Sequence, residues 1–536
     1  MEQGGGSERR FGGDPPLSWY ATRPLDLPTP AADRRASRRQ RLLDALACLA
    51  LASLCFSLAI GEALYRTDFE FYSRLPLNAP TLQALVVNVF ALAAAGFVVA
   101  RLARRARRPR WRRLAAVAAT ATVVVALSSV RTAYPSLGGW TERIPVPVLL
   151  AMVVLALVLA AAWPRHASRS IRRVGVVVSV WAVLAVLSTL WMFLEIARVP
   201  SWRRAVPPPS LNATAPSLRR VVWIVFDDLD QRVTFEARFA GLALPELDRL
   251  RAESLYADAA RAPAPTTDLS LPALITGRAI VSVAPVSVDD LELRFADAKP
   301  VRWSTQPHVF SRARALGYNT ALVGWQLPYA RVLAGSLNVA EWQPSIAYDQ
   351  TRADTFGDAL LRQWASLAPP VHVRRLFAER LSAVGDAALR TATDGRFGLV
   401  MLHLPLPGTP GVYDPAAGRL TTWSFTGPEA EYLANLELVD RFVGELRRGL
   451  ERARLDDRTW IVLSAARPRP GAEGRVPFLV RAPEGEGPHL DDAFDTRATQ
   501  DLVVAILRGS VLDADGAARL LVRHPAARPG APRPGS

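Results

Sequence analysis

The stretch that decides the fold is Val221–Asp230, with the sequence VVWIVFDDLD. Six apolar residues, which predict a buried β-strand, run directly into the adjacent carboxylates Asp227 and Asp228. Buried strands of this kind belong to parallel sheets, where ligands bind outside the carboxyl ends of the strands. The stretch therefore predicts an α/β domain with an acidic site at the end of its first strand.

The residues after 218 alternate between short β-rich runs and longer amphipathic segments. This order predicts an α/β domain with a mostly parallel sheet. The predicted strands are Val221–Phe226, Thr320–Val323, Leu399–His403, Trp460–Leu463 and Phe478–Val480. The predicted helices include Glu246–Glu253, Phe310–Leu316, Arg375–Thr391 and Glu429–Ala453.

The residues before 200 are much more apolar and predict an α-helical membrane domain. Five hydrophobic segments each have about the 20 residues that cross a ~30 Å hydrocarbon core. They are Leu42–Leu64, Thr81–Ala100, Leu114–Val130, Pro147–Trp163 and Val174–Ala197. We therefore expect a bundle of five transmembrane helices before the α/β domain.

Arginine clusters flank these segments and account for much of the net charge of +16. They precede the first segment, separate the second from the third, and separate the fourth from the fifth. The positive-inside rule then places the N-terminus in the cytoplasm and the C-terminal domain outside, in a multi-pass protein of the cytoplasmic membrane. The basic charge is thus a topology signal, and no nucleic-acid partner is expected.

The chain is expected to divide into five regions. They are a disordered basic cytoplasmic tail (1–41), the membrane domain (42–197), a proline-rich linker (198–217), the extracytoplasmic α/β domain (218–524) and a disordered tail (525–536). Both cysteines, Cys48 and Cys55, fall in the first hydrophobic segment, so the α/β domain contains no disulfide.

The motifs of the α/β region, in this order, resemble the sulfatase-like branch of the alkaline phosphatase superfamily. The resemblance covers nearly all of residues 218–524 and is carried by VVWIVFDDLD, LPELDRLRAES (Leu244–Ser254), PTTDLSLPALITGR (Pro265–Arg278), ALGYNTALVGW (Ala315–Trp325) and RVPFLVRAPEG (Arg475–Gly485). Five spans before such a domain are also the arrangement of lipoteichoic acid synthases and phosphoethanolamine transferases.

The resemblance implies an oxygen nucleophile that acts beside a bound divalent metal, Zn²⁺, Mn²⁺, Mg²⁺ or Ca²⁺. The nucleophile position falls on Thr267, and Asp227 and Asp228 fall on metal-ligand positions. The residues alone leave alternatives open. Thr267, like Thr266, is equally typical of a helix N-cap, and the two aspartates are also suited to capping the next helix or pairing with an arginine.

The sequence departs from the family pattern where the other metal ligands belong. The family's S-D-H-G segment reads Ser464-Ala465-Ala466-Arg467, and alanine has no donor atom for a metal. Gly408 stands where related sequences often carry a histidine. His403 lies within an apolar strand, which favours a packed core histidine, and Asp230 is expected to be a solvated turn residue.

Two hypotheses follow. The first is an integral membrane hydrolase or transferase of phosphate or sulfate esters in the cell envelope, with a degenerate metal site. The second is a catalytically inactive relative, with no metal, that binds an envelope glycan or lipid, or an active partner. Either would contact membrane lipids. The substrate-binding residues and the oligomeric state are left open.

Overall fold

The structure is a computed structural model that describes most of the chain. The described residues are 30–64, 78–133, 146–198, 208–216, 218–287, 290–296, 298–346, 349–423, 426–469 and 474–525. Residues 30–41 are helical, which corrects the expectation of disorder for that part of the N-terminal tail. The rest of that tail, most of the linker and residues 526–536 lie outside the described residues, so those boundaries stay predictions.

The N-terminal part contains helices at all five hydrophobic segments. They are α1 (Pro30–Cys55), α2 (Ser57–Leu64), α3 (Ala79–Arg105), α4 (Pro109–Ala133), α5 (Val146–Ala162) and α6 (Pro164–Arg198). Asn78 caps the start of α3, where its side-chain oxygen accepts a hydrogen bond from the amide of Thr81 at 3.0 Å.

The number of membrane spans differs from the expected five. Among the described residues, three helices are long and apolar enough to cross a membrane, namely α3, α4 and the 164–191 part of α6. A fourth is possible if α1 and α2, which are bent by 70° relative to each other, form one broken span. The apolar helix at Leu150–Ala162 is too short to be counted as a membrane span. Five spans are therefore not confirmed.

The C-terminal part is the predicted α/β domain. Its strands are β1 (Arg220–Asp227), β2 (Leu255–Ala257), β3 (Ile280–Ser287), β4 (Asp290–Phe295), β5 (Val301–Arg302), β6 (Thr320–Trp325), β7 (Val339–Gln343), β8 (Leu399–Pro407), β9 (Tyr413–Asp414), β10 (Arg419–Leu420), β11 (Thr459–Ala465), β12 (Phe478–Arg481) and β13 (His489–Leu490). Each of the five predicted strands lies within one of these.

The helices of this domain include one at each of the four predicted positions. They are α7 (Pro245–Ala252), α8 (Thr267–Thr276), α9 (Val309–Ala315), α10 (Tyr329–Val332), α11 (Phe356–Ala365), α12 (Pro369–Ala392), α13 (Pro428–Arg452), α14 (Thr499–Arg508) and α15 (Ala514–Leu521). Short 3₁₀ turns and one π-helical turn at Arg232–Glu236 connect some of them.

The main sheet has eight strands in the order β13-β2-β12-β11-β1-β8-β6-β7. Strands β11, β1, β8, β6 and β7 are parallel neighbours, and β12 runs antiparallel to β11. Strand β1 therefore lies at the centre, between β11 and β8. The register pairs Phe226 with Ala465 and Val225 with His403, so the ends of β1 and β11 meet at one edge.

Successive residues of β1 point to opposite faces of the sheet, as the period of a strand requires. Trp223 and Val225 pack into the hydrophobic core on one face, with residues of α8, α9 and α14. Ile224 and Phe226 pack into the core on the other face, with residues of α7, α12 and α13. Burial of both faces explains why β1 is an unbroken apolar run.

Candidate active site

The candidate site lies where β1 ends. Asp227 is the last residue of β1, and Asp228 follows it with a φ of 61°, in the left-handed region that non-glycine residues seldom adopt. The Tyr432 hydroxyl fixes this turn, because it donates to the carbonyl of Asp228 at 3.0 Å and accepts from the amide of Asp230 at 3.2 Å. The turn directs the two neighbouring carboxylates to different partners.

Thr267 begins helix α8 and faces the end of β1. Its hydroxyl donates to Asp227 Oδ1 at 3.0 Å, and only 5% of the residue is exposed. The N-cap of α8 is Thr266, whose side chain makes no capping hydrogen bond. The N-cap interpretation of Thr267 is therefore wrong, because Thr267 is the first residue within the helix and its hydroxyl donates to Asp227.

Arg467 was not predicted as a site residue, yet it lies at the centre of the site. Its Nη2 donates to Asp228 Oδ2 at 2.8 Å, and its Nε donates to the Thr267 hydroxyl at 3.1 Å. Its side chain is 28% exposed and lies just beyond the end of β11. The sequence left open that one of the two aspartates pairs with an arginine, and Asp228 makes this contact.

His403 connects the site to the interior of the sheet. The side chain lies on β8, is fully buried, and places Nε2 3.3 Å from Asp227 Oδ1. Its Nδ1 lies 3.0 Å from the hydroxyl of Tyr329, which is also buried. His403 is therefore a core histidine, as predicted, and also a hydrogen-bond partner of the acidic site. The apolar residues around His403 in the sequence do not indicate this second role.

The two carboxylates have different pKa shifts. Burial alone raises the pKa of Asp227, but the adjacent His403 and Arg467 and the hydrogen bond from Thr267 outweigh it, and the pKa is lowered overall. For Asp228 burial dominates and raises the pKa to about 6, against the opposing attraction of Arg467. Asp228 Oδ1 has no hydrogen-bond partner among the residues that the structure describes, which is consistent with weak stabilisation of its charge.

The positions that differ from the family's metal-ligand pattern lie next to Asp227 and Asp228. Ala465 and Ala466 are fully buried at the end of β11, and the Ala466 amide donates to the Phe226 carbonyl at 2.8 Å. A Cβ added to Gly408 would lie 3.2 Å from Asp228 Oδ2, so a side chain at this position would point at the acidic turn. Three positions around Asp227 and Asp228 therefore offer no side-chain donor to a metal.

Asp230 corrects a further expectation. It is buried, with 6% of its surface exposed, and its Oδ1 accepts a hydrogen bond from the amide of Val233 at 2.9 Å. The residue thus caps the turn that follows β1, where the sequence analysis expected a solvated side chain.

The donor set does not fit a tightly bound divalent metal. Asp227, Asp228 and Thr267 supply oxygen atoms, but a structural Zn²⁺ site needs four ligands and Mn²⁺ commonly more. The guanidinium of Arg467 already contacts two of these three residues, so an added cation would meet a like charge in a buried setting. We therefore derive no reaction step that depends on a metal at this site.

A separate group of possible metal ligands lies at β2 and β13, at one end of the strand order of the main sheet. Asp258, His489 and Asp491 bring one ligand atom each within 4.8 Å of one another. The His489 ring stacks on Tyr256, with centroids 5.2 Å apart, and its Nε2 lies 3.3 Å from Asp258 Oδ2. This group is half-exposed to exposed and makes no contact with the acidic site at β1.

Comparison with known proteins agrees with the motif order. The family model of type I phosphodiesterases and nucleotide pyrophosphatases matches residues 221–466, from β1 to the segment that carries Ala466. Over these residues the C-terminal domain is similar to enzymes of the alkaline phosphatase superfamily. A search of curated proteins found no match. Enzymes of this superfamily act on phosphate or sulfate esters and use divalent metals.

Similar folds occur among solved structures. A sulfatase from Pseudoalteromonas sp. is 14% identical, with 55% of this chain and 68% of that chain covered and a TM-score of 0.38. A phosphonate monoester hydrolase from Silicibacter pomeroyi is 16% identical, with 58% and 78% covered and a TM-score of 0.37. An alkaline phosphatase superfamily protein from Vibrio parahaemolyticus is 11% identical, with 55% and 68% covered and a TM-score of 0.36.

Proposed function

We propose that this protein is a multi-pass protein of the cytoplasmic membrane whose extracytoplasmic superfamily domain binds phosphate or sulfate esters of the cell envelope without a metal-dependent reaction. One observation carries the proposal: the Arg467 guanidinium lies between Asp228 and Thr267, on the segment from which the family draws its second pair of metal ligands. A covalently attached positive charge thus stands where the resemblance expects a metal centre.

Arg467 has the chemistry of an anion receptor. Its Nε and Nη2 atoms are held by Thr267 and Asp228, while Nη1 makes no hydrogen bond among the described residues. The side chain is partly exposed, and a guanidinium stays charged at any physiological pH. Its planar fork suits the oxygens of a phosphate or sulfate ester, such as an envelope lipid headgroup or a charged glycan.

A second candidate function is metal-independent ester hydrolysis. The hydrogen bond from the Thr267 hydroxyl to Asp227 is the observation that favours it, because a nucleophile must pass its proton to a neighbouring base. Thr267 would attack the phosphorus atom to form phosphothreonine, while Asp227 accepts the hydroxyl proton and passes it to the leaving alkoxide. A water molecule would then cleave the phosphothreonine, releasing phosphate and restoring the Thr267 hydroxyl. The lowered pKa of Asp227 makes this carboxylate a weak base, which favours the binding function.

The test uses the purified full-length protein in detergent. We expect no stoichiometric Zn, Mn, Mg or Ca by elemental mass spectrometry, and binding of bis-p-nitrophenyl phosphate that is unchanged by chelation with EDTA. Binding should be lost in Arg467→Ala and only weakened in Arg467→Lys, which keeps the charge but not the planar fork. Stoichiometric metal, together with hydrolysis that Thr267→Ala abolishes, would overturn the binding proposal.

Hydrolysis without metal that is lost in Thr267→Ala would instead support the second candidate. A gain-of-function variant checks the placement of the segment after β11. The triple substitution Ala465→Asp, Ala466→His and Arg467→Gly restores the family's S-D-H-G pattern. It should bind a divalent metal that the unaltered chain does not. If the triple variant folds and gains none, the matching of Ser464–Arg467 to that pattern is wrong.

A further inference from the structure

Helix α11 belongs to the α/β domain but packs against the membrane helices. Asn88 of α3 donates to the Gln363 side-chain oxygen at 3.0 Å, and Gln363 donates back to the Thr81 carbonyl at 2.9 Å. Ala359 of α11 packs on Ala84 of α3 in a small buried apolar cluster. The contact thus extends along α3 from Thr81 to Asn88.

The length of α3 indicates the depth of this contact in a membrane. Helix α3 has 27 residues and is therefore about 40 Å long, about 10 Å more than the hydrocarbon core of a bilayer. Its last turns carry Arg101, Arg104 and Arg105, which belong at a membrane–water interface. About 20 residues counted back from Ala100 end at Thr81. The part of α3 that contacts α11 therefore lies within the opposite leaflet.

The side of α11 that α3 leaves uncovered is apolar. Leu361 is 71% exposed, Trp364 44% and Phe356 40%, which is uncommon for three large apolar residues of one ten-residue helix. The Trp364 ring meets the edge of Phe56 at a centroid distance of 5.5 Å. Phe56 is buried at the break between α1 and α2, so the exposed face is continuous with the membrane bundle.

The remaining side of α11 is charged. Asp358 and Arg362 line a cavity of about 310 Å³, together with residues that include Arg352, Glu379 and Arg380. The helix thus has three sides: one packed on α3, one apolar and exposed, and one charged beside a polar cavity. An amphipathic helix of this kind lies at the boundary between acyl chains and headgroups.

We propose that α11 is a membrane-interface helix, inserted with Phe356, Leu361 and Trp364 among the lipids of the leaflet that contains the start of α3. Its partner is the bilayer itself. The exposed apolar face is then covered by acyl chains, and the tryptophan lies at the depth that indole rings favour in membranes. The inference is independent of whether the acidic site binds or hydrolyses an ester.

Buried polar contacts fix the segment that leads into α11 against the membrane helices. The Glu62 carboxylate on α2 accepts hydrogen bonds from the amides of Gln350 at 2.8 Å and Thr351 at 3.0 Å, and from the Thr351 hydroxyl at 2.7 Å. Thr81 also donates its hydroxyl to the Ala353 carbonyl at 3.1 Å. Polar groups in apolar surroundings are costly unless they are paired, so these pairs favour one docked position.

The experiment places a polarity-sensitive fluorophore on each of two leucines that are about equally exposed. Leu361 is 71% exposed on α11, and Leu512 is 69% exposed on the α/β domain between α14 and α15. Leu361→Cys and Leu512→Cys are made in a Cys48→Ala, Cys55→Ala background and labelled with a nitrobenzoxadiazole probe. The full-length protein is then reconstituted in phosphatidylcholine vesicles with and without spin-labelled lipid.

We expect a blue-shifted emission and strong quenching by spin-labelled lipid at Leu361, with neither effect at Leu512. Equal, weak quenching at the two positions would overturn the proposal. A second measurement does not depend on the cysteine-free background. Leu361→Asp should lower the thermal midpoint of the vesicle-bound protein, whereas Leu512→Asp should leave it unchanged. Equal midpoints for the two aspartate variants would also contradict the insertion of α11.

Discussion

The ends of the neighbouring strands β1 and β11 differ in the charge of their residues. Strand β1 ends at Asp227 and is followed by Asp228, and this acidic pair resembles that of the superfamily. Strand β11 ends at Ala465 and is followed by Ala466, and neither side chain can bind a metal. Arg467 follows those alanines and pairs with Asp228 at 2.8 Å. The loss on one strand is thus accompanied by a compensating charge on the same segment, so that the buried acid on the other strand keeps a cationic partner.

The difference between the two strand ends supports the proposal that this domain keeps its fold without a metal at the acidic pair. Two acids left without a metal or another cation would repel each other in a buried setting. An arginine offsets this repulsion with charge-assisted hydrogen bonds that need no bound ion. The acidic pair therefore resembles that of the superfamily but does not establish a metal-dependent reaction.

The largest expected effect is that of Arg467→Ala. It leaves Asp228 buried without its cation and removes a donor to Thr267, which should lower the free energy of unfolding by about 2–3 kcal/mol near pH 8. Thermal unfolding of the full-length protein in lipid nanodiscs measures the loss.

Arg469→Ala is the matched control for this variant. Arg469 lies two residues further along and pairs with the half-exposed Glu429, so its removal should cost less than about 1 kcal/mol. Equal losses for the two variants would show that Arg467 is only a surface residue and would end the charge-compensation argument.

The next effect is a pH dependence from Asp228. Burial raises its pKa to about 6 from an ordinary value of 3.8, so the folded state binds this proton more tightly than the unfolded state. The unfolding free energy should therefore fall as pH rises from about 4 to about 6 and then level off, by an amount on the order of 2 kcal/mol.

Asp228→Asn is the control for the pH dependence. Burial also raises the pKa of Asp349 and of Asp440 to about 6, so the unaltered chain alone does not isolate Asp228. The difference between the unaltered chain and Asp228→Asn, measured as thermal midpoints between pH 4 and pH 7, does. Parallel pH curves for the two proteins would contradict the raised pKa.

The sequence predicted the fold well because the fold depends on patterns that are local. The apolar run before Asp227 and the amphipathic period of Glu429–Ala453 each correspond to an observed strand or helix. The sequence also identified Asp227, Asp228 and Thr267 as candidates, and the structure brings all three together. These residues lie in motifs whose order along the chain is itself informative.

The rest of the site depends on contacts between distant parts of the chain. Arg467 follows a segment that lacks metal ligands, and nothing local in the sequence indicates that its side chain reaches Asp228, which is 239 residues away. His403 was hidden by the apolar strand around it. One signal was available: a positive residue at the end of a strand, directly after lost metal ligands, is a candidate for charge compensation.

A smaller effect is expected for Thr267, whose hydroxyl joins the two strand ends. Thr267→Val keeps the shape but removes both the donor to Asp227 and the acceptor for Arg467, which should cost about 1–2 kcal/mol of unfolding free energy. Thr267→Ser keeps the hydroxyl and should cost less. If valine and serine behave alike in thermal unfolding, the hydroxyl does not connect the strands.

The smallest effect is expected at Tyr329, which is connected to Asp227 through His403. Tyr329→Phe removes one hydrogen bond to a buried imidazole and should cost about 1 kcal/mol. Tyr318→Phe is a matched control, because the Tyr318 hydroxyl donates to the Leu507 carbonyl at 2.9 Å, away from the site.

The two tyrosine variants differ in their coupling to Asp227. The effect of Tyr329→Phe should change when Asp227→Asn is also present, because Asp227 and Tyr329 contact the two nitrogens of the same imidazole. The effect of Tyr318→Phe should not change. Double-mutant cycles of thermal unfolding measure both couplings. Without coupling to Tyr329, His403 acts as packing alone, and the polar site would end at Asp227 without reaching the interior of the sheet.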